Sequence, residues 1–142
     1  MRLRICGQEL VDGLAQYGVR RRKTHRVKPA QLDGDLMPAY WRGVFDGDGS
    51  ISRCSEHYRR WNLAMAGNEA MVSGFAMWAA GVCGTHARPK RRDHERAGWC
   101  VNIGGNRIAL RLGHAVYRGA TVYLDRKYEL YQEMVRTSPP VV

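Results

Sequence analysis

The sequence predicts an α+β domain in which helices cover one face of a four-stranded antiparallel sheet, with an extra helix at the N-terminus. Three observations carry this. Residues 50–66 and 84–103 each show the two-residue alternation of a β-hairpin. The stretches around them carry apolar residues at spacings of three and four. The chain has 142 residues and 44% hydrophobic content, enough for one domain with a real core.

Residues 7–17 place Leu10, Leu14 and Tyr17 at helical spacing, with Gly18 suited to a C-terminal cap. The basic run Arg20-Arg21-Arg22-Lys23, continued by Arg26 and Lys28, reads equally as a solvated loop or a phosphate-contacting segment. Pro29 and the turn Asp33-Gly34-Asp35 follow. Asp35 suits the N-cap of a helix running to about Asp46, with Pro38 in its first turn. Residues 50–54 and 60–66 read as a hairpin turning near Ser55–Tyr58, with Trp61, Leu63 and Met65 on the buried face. Asn68 caps an apolar helix from Ala70 to about Val82. In the second hairpin, 84–90 alternates Thr85 and Ala87 with His86, Arg88 and Lys90, and the return strand alternates Trp99, Val101 and Ile103 with Cys100 and Asn102. A helix bearing Ile108, Leu110, Leu112 and Val116 follows, then one over about Leu124–Val135. The organisation is thus 1–34, N-terminal helix and basic linker; 35–137, core; and 138–142, a frayed tail.

Charge narrows the partners. Twenty-three Lys and Arg against thirteen Asp and Glu leave a net +10, which points to a polyanion, with nucleic acid first. No long helix with a basic face suits a membrane surface, and no apolar run approaches the ~18 residues of a membrane span. The N-terminus lacks a signal-peptide core. Cys6, Cys54, Cys83 and Cys100 form no CxxC and read as reduced thiols. From these features the protein is expected in the cytoplasm, associated with the nucleoid, and not secreted.

The stretch carrying chemistry is Tyr40-Trp41-Arg42-Gly43-Val44-Phe45-Asp46-Gly47-Asp48-Gly49-Ser50-Ile51. Gly43 and Gly47 lie four apart, share one helix face and leave it flat, so a second backbone can approach closely. Asp46 and Asp48 stand at the end of that helix, where hard oxygen ligands suit Mg²⁺ or Ca²⁺.

This stretch resembles the LAGLIDADG motif of homing endonucleases, and Tyr123-Leu124-Asp125-Arg126-Lys127-Tyr128 is similar to the segment opening the last helix of that family. The resemblance covers about residues 35–136 and implies the αββαββα fold, with the sheet lying in the DNA major groove. It implies a site-specific double-strand endonuclease that hydrolyses phosphodiesters with Mg²⁺, Mn²⁺ substituting and Ca²⁺ supporting binding without cleavage. Carried over residue by residue, Asp48 is the metal-binding catalytic acid and the Gly47 carbonyl a metal ligand, while Asp46 helps terminate the helix. Lys127, or Arg126 beside it, stands near the scissile phosphate, and Asn68 takes the place of a polar residue closing the second strand. Because one motif supplies one carboxylate, the chain is expected to pair through Tyr40, Gly43, Val44 and Gly47 into a two-fold homodimer on a roughly palindromic target. By strand alternation and by resemblance, Ser52, Cys54, Arg60, Asn62, His86, Arg88, Lys90 and Asn102 read DNA, and Lys90, Arg91, Arg92 and Arg96 hold phosphates.

Residues 3–28 resemble the end of a first repeat in two-motif members, so the chain is either a homodimer or one half of a split enzyme. The family also contains maturases and transcription regulators without cleavage, which is the rival function. A calcium-loop reading of Asp46 to Ser50 fails because its twelfth position is His57. Cys54–His57 and Cys83–His86 are poor zinc chelators, since strand residues three apart point to opposite faces. His94 and His114 have no evident partner and read as surface residues.

Overall fold

The computed structural model describes residues 7–17, 27–53, 60–92 and 98–138. Its elements are α1 (Gln8–Gln16), α2 (Met37–Asp48), β1 (Gly49–Arg53), β2 (Trp61–Gly67), α3 (Glu69–Cys83), β3 (Lys90–Arg91), β4 (Trp99–Gly104), α4 (Asn106–Tyr117) and α5 (Asp125–Thr137), with a 3-10 turn at Gly34–Leu36 before α2. The strands form one antiparallel sheet in the order β1-β2-β4-β3. The two hairpins therefore meet along β2 and β4, and β1 and β3 are the edges.

Strand register explains which side is covered. Ile51, Leu63 and Ile103 share one row, and Met65 and Val101 share the next. All five are buried, together with Trp41 and Phe45 of α2, Val72 and Phe75 of α3, Leu112 and Tyr117 of α4, and Met134 of α5. Each large apolar side chain in this layer contributes about 1.5–3 kcal/mol through burial. The residues between them along the strands face away from the helices. Helices α4 and α5 approach closely at Gly113, where a Cβ would lie 2.5 Å from Met134 Cε.

Local chemistry sets several boundaries. The Asn68 side chain accepts from Met71 N at 2.9 Å and starts α3, and Gly84, at φ 69°, ends it in the left-handed conformation. Asp35 is not the cap of α2. It lies inside the 3-10 turn, and α2 starts at Met37 behind Leu36, with Pro38 in its first turn. Nor does the helix stop at Asp46; it runs on to Asp48.

The predicted strand 84–90 is reduced to Lys90–Arg91. Thr85 Oγ1 accepts from Ala87 N at 3.1 Å, a local bond that competes with strand pairing, and Pro89 has no N–H to give. The burial alternation survives nonetheless, with Thr85 buried and His86 and Arg88 exposed. Helix α1 forms, yet none of its residues is buried, and Leu10, Leu14 and Tyr17 are exposed. Gly18, the basic run through Arg26, Cys54, the turn at 55–58 and Arg96 lie outside the described residues.

Candidate active site at the end of helix α2

The tip of α2 is held by α4 and α5, the last two helices of the chain's described residues. Trp41 and Phe45 anchor its inner face at 1% and 0% exposure. The last turn of any helix leaves carbonyls without intrahelical donors. Here Lys127, in the first turn of α5, supplies them: its Nζ donates to Phe45 O at 2.6 Å and to Asp46 O at 2.8 Å. A cation at a helix C-terminus also opposes the negative end of the helix dipole. Lys127 is 1% exposed. Burial pushes its ammonium below the usual lysine range, Arg126 adds to this, and Asp46 and Asp48 pull the other way.

Asp46 is the second tie. One carboxylate oxygen accepts from Tyr117 Oη at 2.6 Å and the other from Leu124 N at 2.9 Å. It thereby joins the tip of α2 to the end of α4 and the start of α5, and it does so without ending the helix. Burial, reinforced by the bond to Asp46, drives the Tyr117 hydroxyl far above its ordinary pKa, so it stays a donor. Arg42, one turn back, donates from Nη1 to Val116 O at 3.2 Å.

Asp48 is different. It is the last residue of α2, exposed, and its side chain makes no hydrogen bond or ion pair among the described residues. The bonds from Lys127 stop at Asp46 O, so the Gly47 carbonyl beside Asp48 is left out of that cap. Among the described residues no three His, Cys, Asp or Glu gather into a metal-binding group. The Cys83–His86 pair is also split, with Cys83 buried and donating to Ala79 O and His86 exposed.

Arg126 is exposed on the first turn of α5 beside Lys127. Asn68 is used for structure: besides capping α3, its Nδ2 donates to Val27 O at 2.9 Å. Those two bonds give the amide at the end of β2 a structural role.

The free face of α2 runs through Leu36, Ala39, Gly43 and Gly47, all exposed. Among the described residues, a Cβ at Gly43 or Gly47 would meet nothing within 4 Å. Tyr40 and Val44 flank this stripe and are half-buried. The Tyr40 hydroxyl is already engaged, accepting from Ala30 N at 3.1 Å.

On the sheet surface facing away from the helices, Ser52 pairs with Asn62, Ala64 with Asn102, and Lys90 with Cys100. Asn62 Nδ2 donates to Asn102 Oδ1 at 3.5 Å across β2 and β4. Paired strand residues share a face, so Ser52, Asn62, Lys90 and Asn102 line one surface. Arg91 pairs with Trp99 and so belongs to the opposite phase from Lys90. Arg60, His86, Arg88 and Arg92 are exposed near the same sheet.

Two contacts lay beyond the reach of spacing alone. Tyr117 stands 71 residues from Asp46, and nothing local marks it except its place at the end of an apolar helix. His114 is not a free surface residue, because its Nδ1 lies 2.9 Å from Tyr131 Oη and the rings meet edge to face.

The fold is similar to that of the group I intron-encoded homing endonuclease I-CeuI complexed with DNA, with a TM-score of 0.56 and 11% identity over 77% of this chain. The chain spans 56% of that protein's chain. The helix and strand arrangement is the LAGLIDADG-endonuclease fold anticipated from the motif, its four-stranded antiparallel sheet included. No protein-family model matches the chain, and no curated protein matches it. No helix among the described residues is long and apolar enough to cross a membrane.

Proposed function

We propose that this protein is a site-specific double-strand DNA endonuclease that acts as a homodimer on a long, roughly palindromic target. The observation that carries the reading is Asp48: an exposed carboxylate with no hydrogen bond or ion pair among the described residues, on a helix tip that buried neighbours hold in place. The likeness in fold to a homing endonuclease complexed with DNA supports it. So do the +10 charge and the polar sheet surface of Ser52, Asn62, Lys90 and Asn102.

The donor set at the tip is the Asp48 carboxylate and the Gly47 carbonyl, hard oxygens of the kind Mg²⁺ takes. Two ligands do not fill an octahedral shell, so the residues fit Mg²⁺ only when phosphate oxygens, water and the same carboxylate of a second copy complete it. When bound, Mg²⁺ would supply Lewis acidity at the scissile phosphate and an activated water. The bare Gly43/Gly47 stripe supports pairing, because it lets two α2 helices approach and brings both tips to one axis. In this reading Asp48 binds and orients, Lys127 holds the turn from behind, and Arg126 is the exposed cation that meets a phosphate. Arg88 suits the edge of guanine, and Asn62 or Asn102 that of adenine.

A non-catalytic DNA- or RNA-binding relative, such as an intron maturase or transcription regulator, is the second reading. One observation favours it: Lys127 faces two carbonyls, not open solvent. A cleavage selection on a randomised DNA library with Mg²⁺ separates the two and returns the target. Asp48→Asn should then bind that target without cutting it, and retained cleavage would sink the assignment.

A further inference from the structure

We propose that Tyr117 is a positioning residue for Asp48, acting through Asp46, a role that rests on the endonuclease reading. Asp46 and Asp48 share the terminal turn of α2. Both oxygens of Asp46 are engaged by groups outside that helix, Tyr117 Oη and Leu124 N. Tyr117 is itself immobilised: its ring is fully buried, lies edge-on to Phe45 at 6.3 Å and packs against Tyr131 at 5.4 Å. The direction in which α2 ends is therefore referred to the junction of α4 and α5. Lys127 holds the backbone of the same turn but acts on carbonyls; the bonds from Tyr117 Oη and Leu124 N reach a side chain two residues from Asp48, and of these Tyr117 is the side-chain donor.

Removing the hydroxyl takes away one of the two donors to the Asp46 carboxylate and lets the turn shift toward another donor. A displacement of about 1 Å at a reacting group can cost on the order of 100-fold in rate. Because Asp48 also offers the metal ligand, its displacement should weaken the response to Mg²⁺, which a loss of global stability alone would not do at temperatures where the variant is folded.

The test compares Tyr117→Phe with wild type on the selected DNA duplex, reading single-turnover cleavage across a Mg²⁺ titration and target binding in Ca²⁺. The variant should cut about 10-fold to 100-fold more slowly. Its Mg²⁺ midpoint should be raised several-fold, with target affinity in Ca²⁺ within about twofold of wild type and an unchanged circular dichroism spectrum. Asp46→Ala serves as the second variant: it removes the acceptor of the Tyr117 hydroxyl together with that of Leu124 N, and it should show the same shift if Tyr117→Phe fails to fold. A cleaving wild type with an unshifted Mg²⁺ response in the folded variants overturns the positioning role alone. A wild type that cleaves nothing in the library overturns the endonuclease reading, and the positioning role falls with it.

Discussion

Replacing Lys127 with Met tests whether the end of α2 depends on a buried ammonium. The substitution keeps an apolar stem near Phe45, whose ring lies 5.3 Å from Nζ, and removes only the charged head. That head makes hydrogen bonds of 2.6 and 2.8 Å to Phe45 O and Asp46 O. Charge-assisted bonds of this kind are worth about 1.5–3 kcal/mol each, or roughly 3–6 together. Burial of the ammonium takes back a share, as its lowered pKa records. Asp46 O is also only part-buried and can turn to water, whereas Phe45 O cannot. The net loss should be about 2–3 kcal/mol. For a chain of this length that is about 4–12 °C in Tm, read by thermal and urea unfolding. A loss below about 0.5 kcal/mol, the range of ordinary surface changes, would refute the capping argument. The same variant separates two roles: a lysine acting only on the phosphate would lose cleavage and keep full stability.

Gly43→Ala should fold and gain about 0.5–1 kcal/mol from helix propensity, because its Cβ enters open space. Gly43→Leu should leave the protomer folded but prevent pairing, and a dimer persisting in sedimentation would remove α2 as the pairing face. At Gly49 the backbone is ordinary (φ −89°, ψ 171°), yet a Cβ would lie 2.3–2.6 Å from the Phe45 ring. Gly49→Ala should therefore cost about 1–3 kcal/mol in thermal melting, through overpacking and not through conformation. Alkaline unfolding is the last case. Burial holds Tyr117 and Tyr131 above the ordinary tyrosine pKa, so the unfolded chain releases those protons first, near pH 10. Stability from these groups is whole below that pH and falls above it, by up to about 1.4 kcal/mol per pH unit for each. Lys127, with its lowered pKa, works in the opposite sense. In urea titrations Tyr117→Phe should lose stability less steeply than wild type above about pH 10; equal slopes would count against the burial of that hydroxyl.

Much of the fold was legible because its signals are periodic and local. Alternation in 60–66 and 99–103 marked the two inner strands, and Asn68 marked the start of α3 through one side-chain bond three residues on. Where competing local chemistry entered, the reading slipped. Thr85 and Pro89 shortened β3, and the Gly34–Leu36 turn displaced the start of α2. At α1 the periodicity identified the helix correctly but carried no information on a partner, and the stripe of Leu10, Leu14 and Tyr17 stands exposed.

The candidate site divides in the same way. The sequence alone determined that a helix bearing Gly43 and Gly47 on one face ends in alternating acids and glycines, because helix geometry places residues four apart together. It could not separate the work of the two acids. Tertiary structure decided that Asp46 turns inward to Tyr117 and Leu124 N while Asp48 stays exposed, with no hydrogen bond among the described residues, and that Lys127 lies under the tip of the helix. Those partners stand 71 to 82 residues away along the chain. Only the packing of α4 and α5 against α2 brings them to it, and no spacing rule reaches that far.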